Sequence, residues 1–343
     1  VFKVTDNDGN YFALKRLDTV DEEKRARFDR ESSFMGDYPI LSQKQLLLPI
    51  IDKDLNCEHP YYVMPLAVPL KKIQFDSLLN KCNAIIDVLN LLSQLHKLGI
   101  AHRDIKPENI LAYNNRFYLS DFGLMFIRDA ERITKEADRE RIGAKRTIAP
   151  EMERKAGYDA DPYKADIYSM AKTIWMILTE DYDCFEGQYD SNSAISLDRY
   201  DKIGSFDDGL IPSAPYFTPL DSLLTQCTDH DPNIRPSIDV VIKRFNFWID
   251  INHDYHLRNN YEWYEITDKL FPVKTPNKVV WTDLNDIISV LNFLCKYKSL
   301  AYVFLPRGGA HYKGVRKAEE ERFLEFDMGM AYLFPAKFLK FRK

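Results

Sequence analysis

Residues 102 to 121 hold the side chains that can do chemistry. His102-Arg103-Asp104-Ile105-Lys106-Pro107-Glu108-Asn109 places a carboxylate, an ammonium and an amide in one short loop, and Asp121-Phe122-Gly123 begins twelve residues past Asn109. A carboxylate such as Asp104 can orient a hydroxyl and accept its proton. Asp121 and Asn109 offer hard oxygen ligands suited to a Mg2+ ion carried by a nucleotide. Lys106 sets a cation beside Asp104, where a moving phosphoryl group gathers charge. Phosphoryl transfer asks a protein for little beyond such positioning and neutralisation. His102 invites a general-base reading, but a packed, hydrogen-bonded loop support is the plainer expectation.

Those side chains need elements to hold them. Residues 1–17 alternate like two strands joined at Asp8-Gly9-Asn10, a hairpin turn signal. Residues 21–37 carry Phe28, Glu31 and Met35 at helical spacing, on one face. Strand-like pieces follow at 46–52 and 60–66. Ile85, Ile86, Leu89, Leu92 and Leu95 give a helix within Phe75 to Leu98, and Gly99 gives its stop. A second helix is expected from Lys164 to Leu178, then a polar connection over 181–216, then helices over 220–249 broken at Asp231-Pro232. Strands with one helix first and helices afterwards describe an α+β, two-lobed arrangement with a hinge near residues 65–70.

Taken together, the HRDxKxxN loop and the Asp121-Phe122-Gly123 triplet resemble the catalytic loop and metal-binding motif of eukaryotic-type Ser/Thr protein kinases. Other residues fall in the family's order. Lys15 in Ala13-Leu14-Lys15 resembles the strand lysine that grips the nucleotide phosphates, and Glu31 its ion-pair partner, with Glu22 and Glu23 as alternatives on the same segment. Ala149-Pro150-Glu151 resembles the motif closing the activation segment, Asp166 the aspartate tied to the catalytic loop, and Arg235 the partner of Glu151. Met64 falls at the gatekeeper position and residues 65–67, including Leu66 and Ala67, at the adenine-binding hinge. The resemblance implies a kinase catalytic domain over residues 1–250, with a small β-rich lobe over about 1–66 and a large helical lobe over about 67–250. It also implies ATP and Mg2+ as cofactors and proteins as substrates, with Asp104, Lys106 and Asn109 catalytic and Asn109 and Asp121 on the metal. Lys106 favours Ser/Thr over Tyr as acceptor.

Four features depart from the family pattern. The glycine-rich loop over the phosphates is missing, Val1 resembling the valine that follows it. Ala144 stands where a threonine is usual, Thr147 where an aromatic residue is commoner, and Pro65 removes a hinge N–H. Two further readings of these residues stay open, a pseudokinase scaffold that binds nucleotide or partners, and a kinase fold acting on a small molecule. Within the charged segment 124–148, Thr134 is the one hydroxyl residue well inside, a candidate phosphorylation site or an ordinary solvated threonine.

The 343-residue chain, 45% hydrophobic and 29% charged, fits a globular protein with a sizeable core. A net charge of -5 argues against a generally nucleic-acid-binding surface. No apolar run of about 18 residues suits a bilayer, and no secretory signal opens the chain. The scattered cysteines 57, 82, 184, 227 and 295 read as free thiols, so the expected location is cytoplasmic. Residues 251–343 carry no recognised family motif. They are aromatic-rich, carry an amphipathic helix from Thr282 to about Tyr297, and are expected to form a mainly helical accessory region, with intramolecular or partner contact as its expected role.

Overall fold

The computed structural model describes residues 1–19, 21–37, 46–128, 146–153, 160–206, 215–271, 276–295, 314–318, 323–327, 331–335 and 339–342. They divide into two units, Val1–Ile249 and Asp250–Lys343.

The first unit begins with the hairpin of β1 (Phe2–Thr5) and β2 (Tyr11–Arg16). Its turn is held by one side chain: Asp6 accepts from the backbone N–H of Asp8 at 2.9 Å and of Asn10 at 2.8 Å. Gly9, at φ +85°, supplies the left-handed step that an L side chain resists. Antiparallel pairing with β3 (Asp52–Asp54) and β4 (Tyr61–Pro65) completes a sheet of order β1-β2-β4-β3. The strand expected at 46–52 is thus shorter and later. Pro49 brings no N–H to a ladder, and pairing starts with the Ile51 N–H on the Val63 carbonyl at 2.8 Å. Leu47 and Leu48 instead enter the core.

Helix α1 (Glu22–Asp37) starts where Asp21 accepts from the N–H groups of Glu23 and Lys24, each at 3.0 Å. Past Pro65 the chain crosses at Leu66-Ala67 to a second sheet, where β5 (Val68–Pro69), β7 (Ile110–Tyr113) and β8 (Arg116–Leu119) pair in that order. Helix α2 (Leu78–Lys97) is capped by Ser77, which accepts from the Asn80 N–H. It stops at Gly99, φ +75°, where a Cβ would lie 3.3 Å from the Cβ of Arg128. A short pair of β6 (Ile100–Ala101) with β9 (Phe126–Ile127) follows. The short α3 (Pro150–Glu153) precedes α4 (Pro162–Thr179), whose residues from Ala165 to Thr179 are all buried. Then come α5 (Thr218–Cys227) and α6 (Ile238–His253). An apolar core runs through the unit from Ala13 to Trp248, and a smaller cluster gathers Ile148, Ala149, Met152, Ala165 and Tyr168.

The second unit was expected to be mainly helical, and among its described residues it also carries five strands. Helices α7 (Tyr255–Leu270) and α8 (Leu284–Leu294) are accompanied by β10 (Lys278–Trp281) paired with β14 (Leu339–Arg342). A sheet of β11 (Gly314–Lys317), β12 (Phe323–Asp327) and β13 (Ala331–Pro335) completes it. The amphipathic stripe of α8 buries Ile287 and Leu291 against Val315 and Leu324. Asn292 fixes that contact through two side-chain hydrogen bonds to the Val315 backbone, both 2.7 Å. Strands this short, one pair closing across almost the whole unit, leave little periodicity to read.

Candidate active site

The β6–β9 pair and the β7–β8 hairpin set residues 102–109 beside residues 120–125. Ser120, just after β8, donates its N–H to the Asn109 carbonyl at 2.8 Å and its hydroxyl to the same oxygen at 3.1 Å, which ties Asp121 to Asn109. Asp104 is held by residues of its own loop. Its Oδ2 accepts from Lys106 Nζ at 2.6 Å and from Asn109 Nδ2 at 2.9 Å. Asn109 Nδ2 also donates to the Asp104 carbonyl at 2.8 Å, leaving Oδ1 as the end of the amide that can face a cation. Asp104 Oδ1 is buried and has no hydrogen-bond partner among the described residues. A buried acceptor left this way is costly unless something fills it, and a substrate hydroxyl is such a donor.

Beneath the loop, Asp166 of α4 is fully buried and accepts from the backbone N–H groups of His102 at 2.8 Å and Arg103 at 2.7 Å. His96 Nε2 lies 3.0 Å from the same carboxylate. Arg103 is thereby held at φ +68°, a conformation rare outside glycine. His102 is fully buried, its Nε2 lies 3.2 Å from the Ser120 carbonyl, and its ring packs 4.8 Å from Phe122. Burial pushes its pKa below the ordinary histidine value despite the carboxylates around it. That is the loop support expected of it.

Across the cleft, Lys15 Nζ donates to both oxygens of Glu31, at 2.8 and 2.7 Å, and reaches Asp121 Oδ1 at 3.3 Å. Glu31, not Glu22 or Glu23, is therefore the partner; Glu23 pairs with Arg27 on its own helix. Burial presses Lys15 toward neutrality, but the Glu31 and Asp121 charges outweigh it and hold its pKa above the ordinary lysine value. Burial likewise pushes the Glu31 carboxyl up, with Lys15 drawing it back. Asp121 sits at φ +62° with its side chain half exposed to the cleft. Phe122 is buried behind it, 4.9 Å from Phe34 of α1. One contact was not foreseen: the Tyr62 hydroxyl donates to Glu31 Oε1 at 3.1 Å. Two residues on from Tyr62 along β4, Met64 is buried, while Leu66 is exposed and Ala67 half-buried at the crossing. Pro65 pairs with Phe12 at the last rung of the ladder, where a missing donor does little harm.

At the closing motif, Arg235 is buried and grips Glu151 with two bonds, Nη1–Oε1 at 2.6 Å and Nη2–Oε2 at 2.9 Å. Its Nε donates to the Asp229 carbonyl at 2.8 Å. Thr147 is buried, and its carbonyl accepts from the Ser169 hydroxyl at 2.8 Å. Thr134, Gly143 and Ala144 lie outside the described residues. Among the described residues, no helix is long and apolar enough to cross a membrane.

Comparison with known proteins agrees with this geometry. The family model described as protein kinase domain matches residues 1–246. CBL-interacting serine/threonine-protein kinase 15 of Arabidopsis thaliana is 33% identical over 153 residues, which cover 43% of this chain and 32% of that protein. CBL-interacting protein kinase 5 of Oryza sativa subsp. japonica is 32% identical over 150 residues, 43% of this chain and 30% of that protein. Serine/threonine-protein kinase STY17 of Arabidopsis thaliana is 29% identical over 165 residues, 47% of this chain and 26% of that protein. The matched stretch thus spans about a third or less of each of these relatives. The family match covers well over half of the chain, and the chain belongs to the protein kinase family.

Proposed function

We propose that the chain transfers the γ-phosphoryl group of ATP, with Mg2+, to serine and threonine hydroxyls of proteins, its own included. The observation that carries this is the unpartnered Asp104 Oδ1, buried beside Lys106 and aligned by Asn109. In this reading Asp104 orients the acceptor hydroxyl and takes its proton, while Lys106 balances charge gathering on the transferred group. Lys15, steadied by Glu31, holds the nucleotide phosphates. Asn109 Oδ1 and the half-exposed Asp121 carboxylate are oxygen donors of the kind Mg2+ takes when substrate phosphates complete its shell. Bound there, the ion would neutralise phosphate charge. Met64 walls the adenine pocket, and the Leu66-Ala67 backbone supplies its hinge contacts. The catalytic unit spans residues 1–250, with residues 251–343 serving intramolecular or partner contacts. Free cysteines, three of them buried, fit a cytoplasmic setting.

The test is incubation with γ-labelled ATP, Mg2+ and a protein mixture, followed by phosphosite mapping. Label is expected on Ser and Thr, lost on chelation and lost in Asp121→Asn, which keeps the fold but removes a charged oxygen donor. Full activity in Asp121→Asn would overturn the site assignment.

A further inference from the structure

The cross-strand register sets Lys15 of β2 directly opposite Tyr62 of β4, so both side chains leave the sheet on the same face, toward α1. Glu31 meets them there and is nearly fully buried. A buried carboxylate has about four lone-pair sites to satisfy, and two groups among the described residues serve it here. One is Lys15, whose ammonium is shared with Asp121 at 3.3 Å. The other is the Tyr62 hydroxyl at 3.1 Å. The two donors differ in kind. Lys15 hangs on a flexible stem and must turn toward nucleotide phosphates to serve them. Tyr62 is 1% exposed, and its ring lies 5.3 Å from that of Phe28, also of α1. Its hydroxyl is therefore fixed in space by packing.

The geometry points to Tyr62 as a positioning residue for the nucleotide site, holding Glu31 Oε1 in place so that Glu31 in turn aims Lys15. The assignment rests on the reading of Lys15 as the phosphate-binding lysine. When Lys15 swings toward phosphate, its grip on Glu31 loosens. Without Tyr62, Oε1 would then be left unsatisfied and the carboxylate would rotate to find another donor. With Tyr62 the carboxylate stays where the lysine left it.

The experiment compares the unaltered chain with Tyr62→Phe, Glu31→Gln, the double variant and Lys15→Ala. The readouts are kcat, the KM for ATP, the KM for a protein acceptor, ATP affinity by direct titration, and thermal melting. Tyr62→Phe removes one oxygen and keeps the ring against Phe28. Loss of a hydrogen bond to a charged group predicts about a tenfold fall in kcat/KM for ATP and weaker ATP binding, with the acceptor KM unmoved. In the Glu31→Gln background the same change should cost less than about twofold, because the group it positions is gone. Equal losses in both backgrounds, an equal rise in both KM values, or a Tyr62→Phe chain that no longer melts cooperatively would each make Tyr62 a folding residue and overturn the proposal. Lys15→Ala separates the two levels. If it abolishes ATP binding while Tyr62→Phe changes nothing, the positioning role is wrong and the site stands. If it leaves ATP binding intact, the reading of Lys15 itself fails.

Discussion

Replacing Asp166 by Asn changes one atom of the site's foundation and should be felt twice, in stability and in rate. The carboxylate accepts on both oxygens: Oδ1 from the Arg103 N–H at 2.7 Å, Oδ2 from the His102 N–H at 2.8 Å, with His96 Nε2 at 3.0 Å. An amide keeps only one of those oxygens. Turned either way, its NH2 group faces a backbone N–H that has lost its acceptor in a fully buried position. Hydrogen bonds to a charged group contribute roughly 1.5–3 kcal/mol each, so losing one and weakening another costs about 2–5 kcal/mol. For a unit of this size, about 2–4 °C per kcal/mol puts the melting temperature about 4–20 °C lower. The more informative loss is catalytic. Arg103 stands at φ +68° beside Asp104, and release of its N–H lets that strained residue relax. A shift of about 1 Å in a reacting group can lower a rate on the order of a hundredfold. The assay is steady-state phosphotransfer well below the variant's melting temperature, with ATP affinity measured separately. We expect kcat to fall far more than ATP affinity, since Lys15 and Glu31 lie on other elements. An Asp166→Asn chain within about 1 kcal/mol of the original stability and with unchanged kcat would refute the reasoning.

Two other perturbations test buried charge elsewhere in the unit. Arg235→Met strips Glu151 of a bidentate partner in a largely buried setting and should cost about 3–5 kcal/mol in urea unfolding. Arg235→Met with Glu151→Gln should recover part of it, and a double variant less stable than the single would contradict this account. Asp221 is pushed up to about 7, first by burial and then by Asp198, although the Tyr189 hydroxyl donates to it at 2.6 Å and draws it back. Its native pKa exceeds the unfolded value, so the folded state holds the extra proton between roughly pH 4 and 7 and stability falls as pH rises through that window. Asp221→Asn should therefore melt higher than the original chain at pH 8 and about equally at pH 4, by a few kcal/mol at most; an equal gain at both pH values would show that ionisation is not the cause.

The residues proposed to react were legible because they are packed into one loop and one following triplet, where spacing alone brings them near each other. Glu31 was legible for a different reason. It shares a helical face with Phe28 and Met35, whereas Glu22 lies about half a turn away from it by the ~100° step of a helix. Tyr62 was missed, although its spacing from Met64 places both on one side of a strand. Its partner depends on the β2–β4 register, which a strand's own residues do not disclose. The run Leu46 to Ile51 misled because burial and strand pairing both select apolar residues, and only Leu47 and Leu48 report which one won. In residues 251–343 only α8 repeats often enough to announce itself; the strands there are defined by partners far away in sequence.

Helix α4 explains why so polar a site can be so fixed. A helix buried on every side is expected to be apolar, yet at nearly every turn α4 sends out a polar group that ends on the backbone of a different segment. Asp166 takes the catalytic loop, Ser169 the Thr147 carbonyl, and Tyr168 the Gly187 carbonyl at 2.9 Å. Lys172 takes the Phe185 carbonyl at 2.7 Å and Trp175 the Ile195 carbonyl at 2.9 Å. The carbonyl of Lys164 accepts from Arg235 at 3.1 Å, which brings the Glu151 clamp to the same helix. His102, Thr147 and Phe185, whose backbone groups are among these partners, are buried, and such groups would be costly if left alone. Because the helix supplies the partners, each loop has one low-energy position relative to it, whatever its own side chains are. Apolar packing alone would hold the same loops less specifically, since it is non-directional. The alignment of Asp104 is therefore set mainly from below, through backbone hydrogen bonds to α4, and only secondarily by Lys106 and Asn109 beside it.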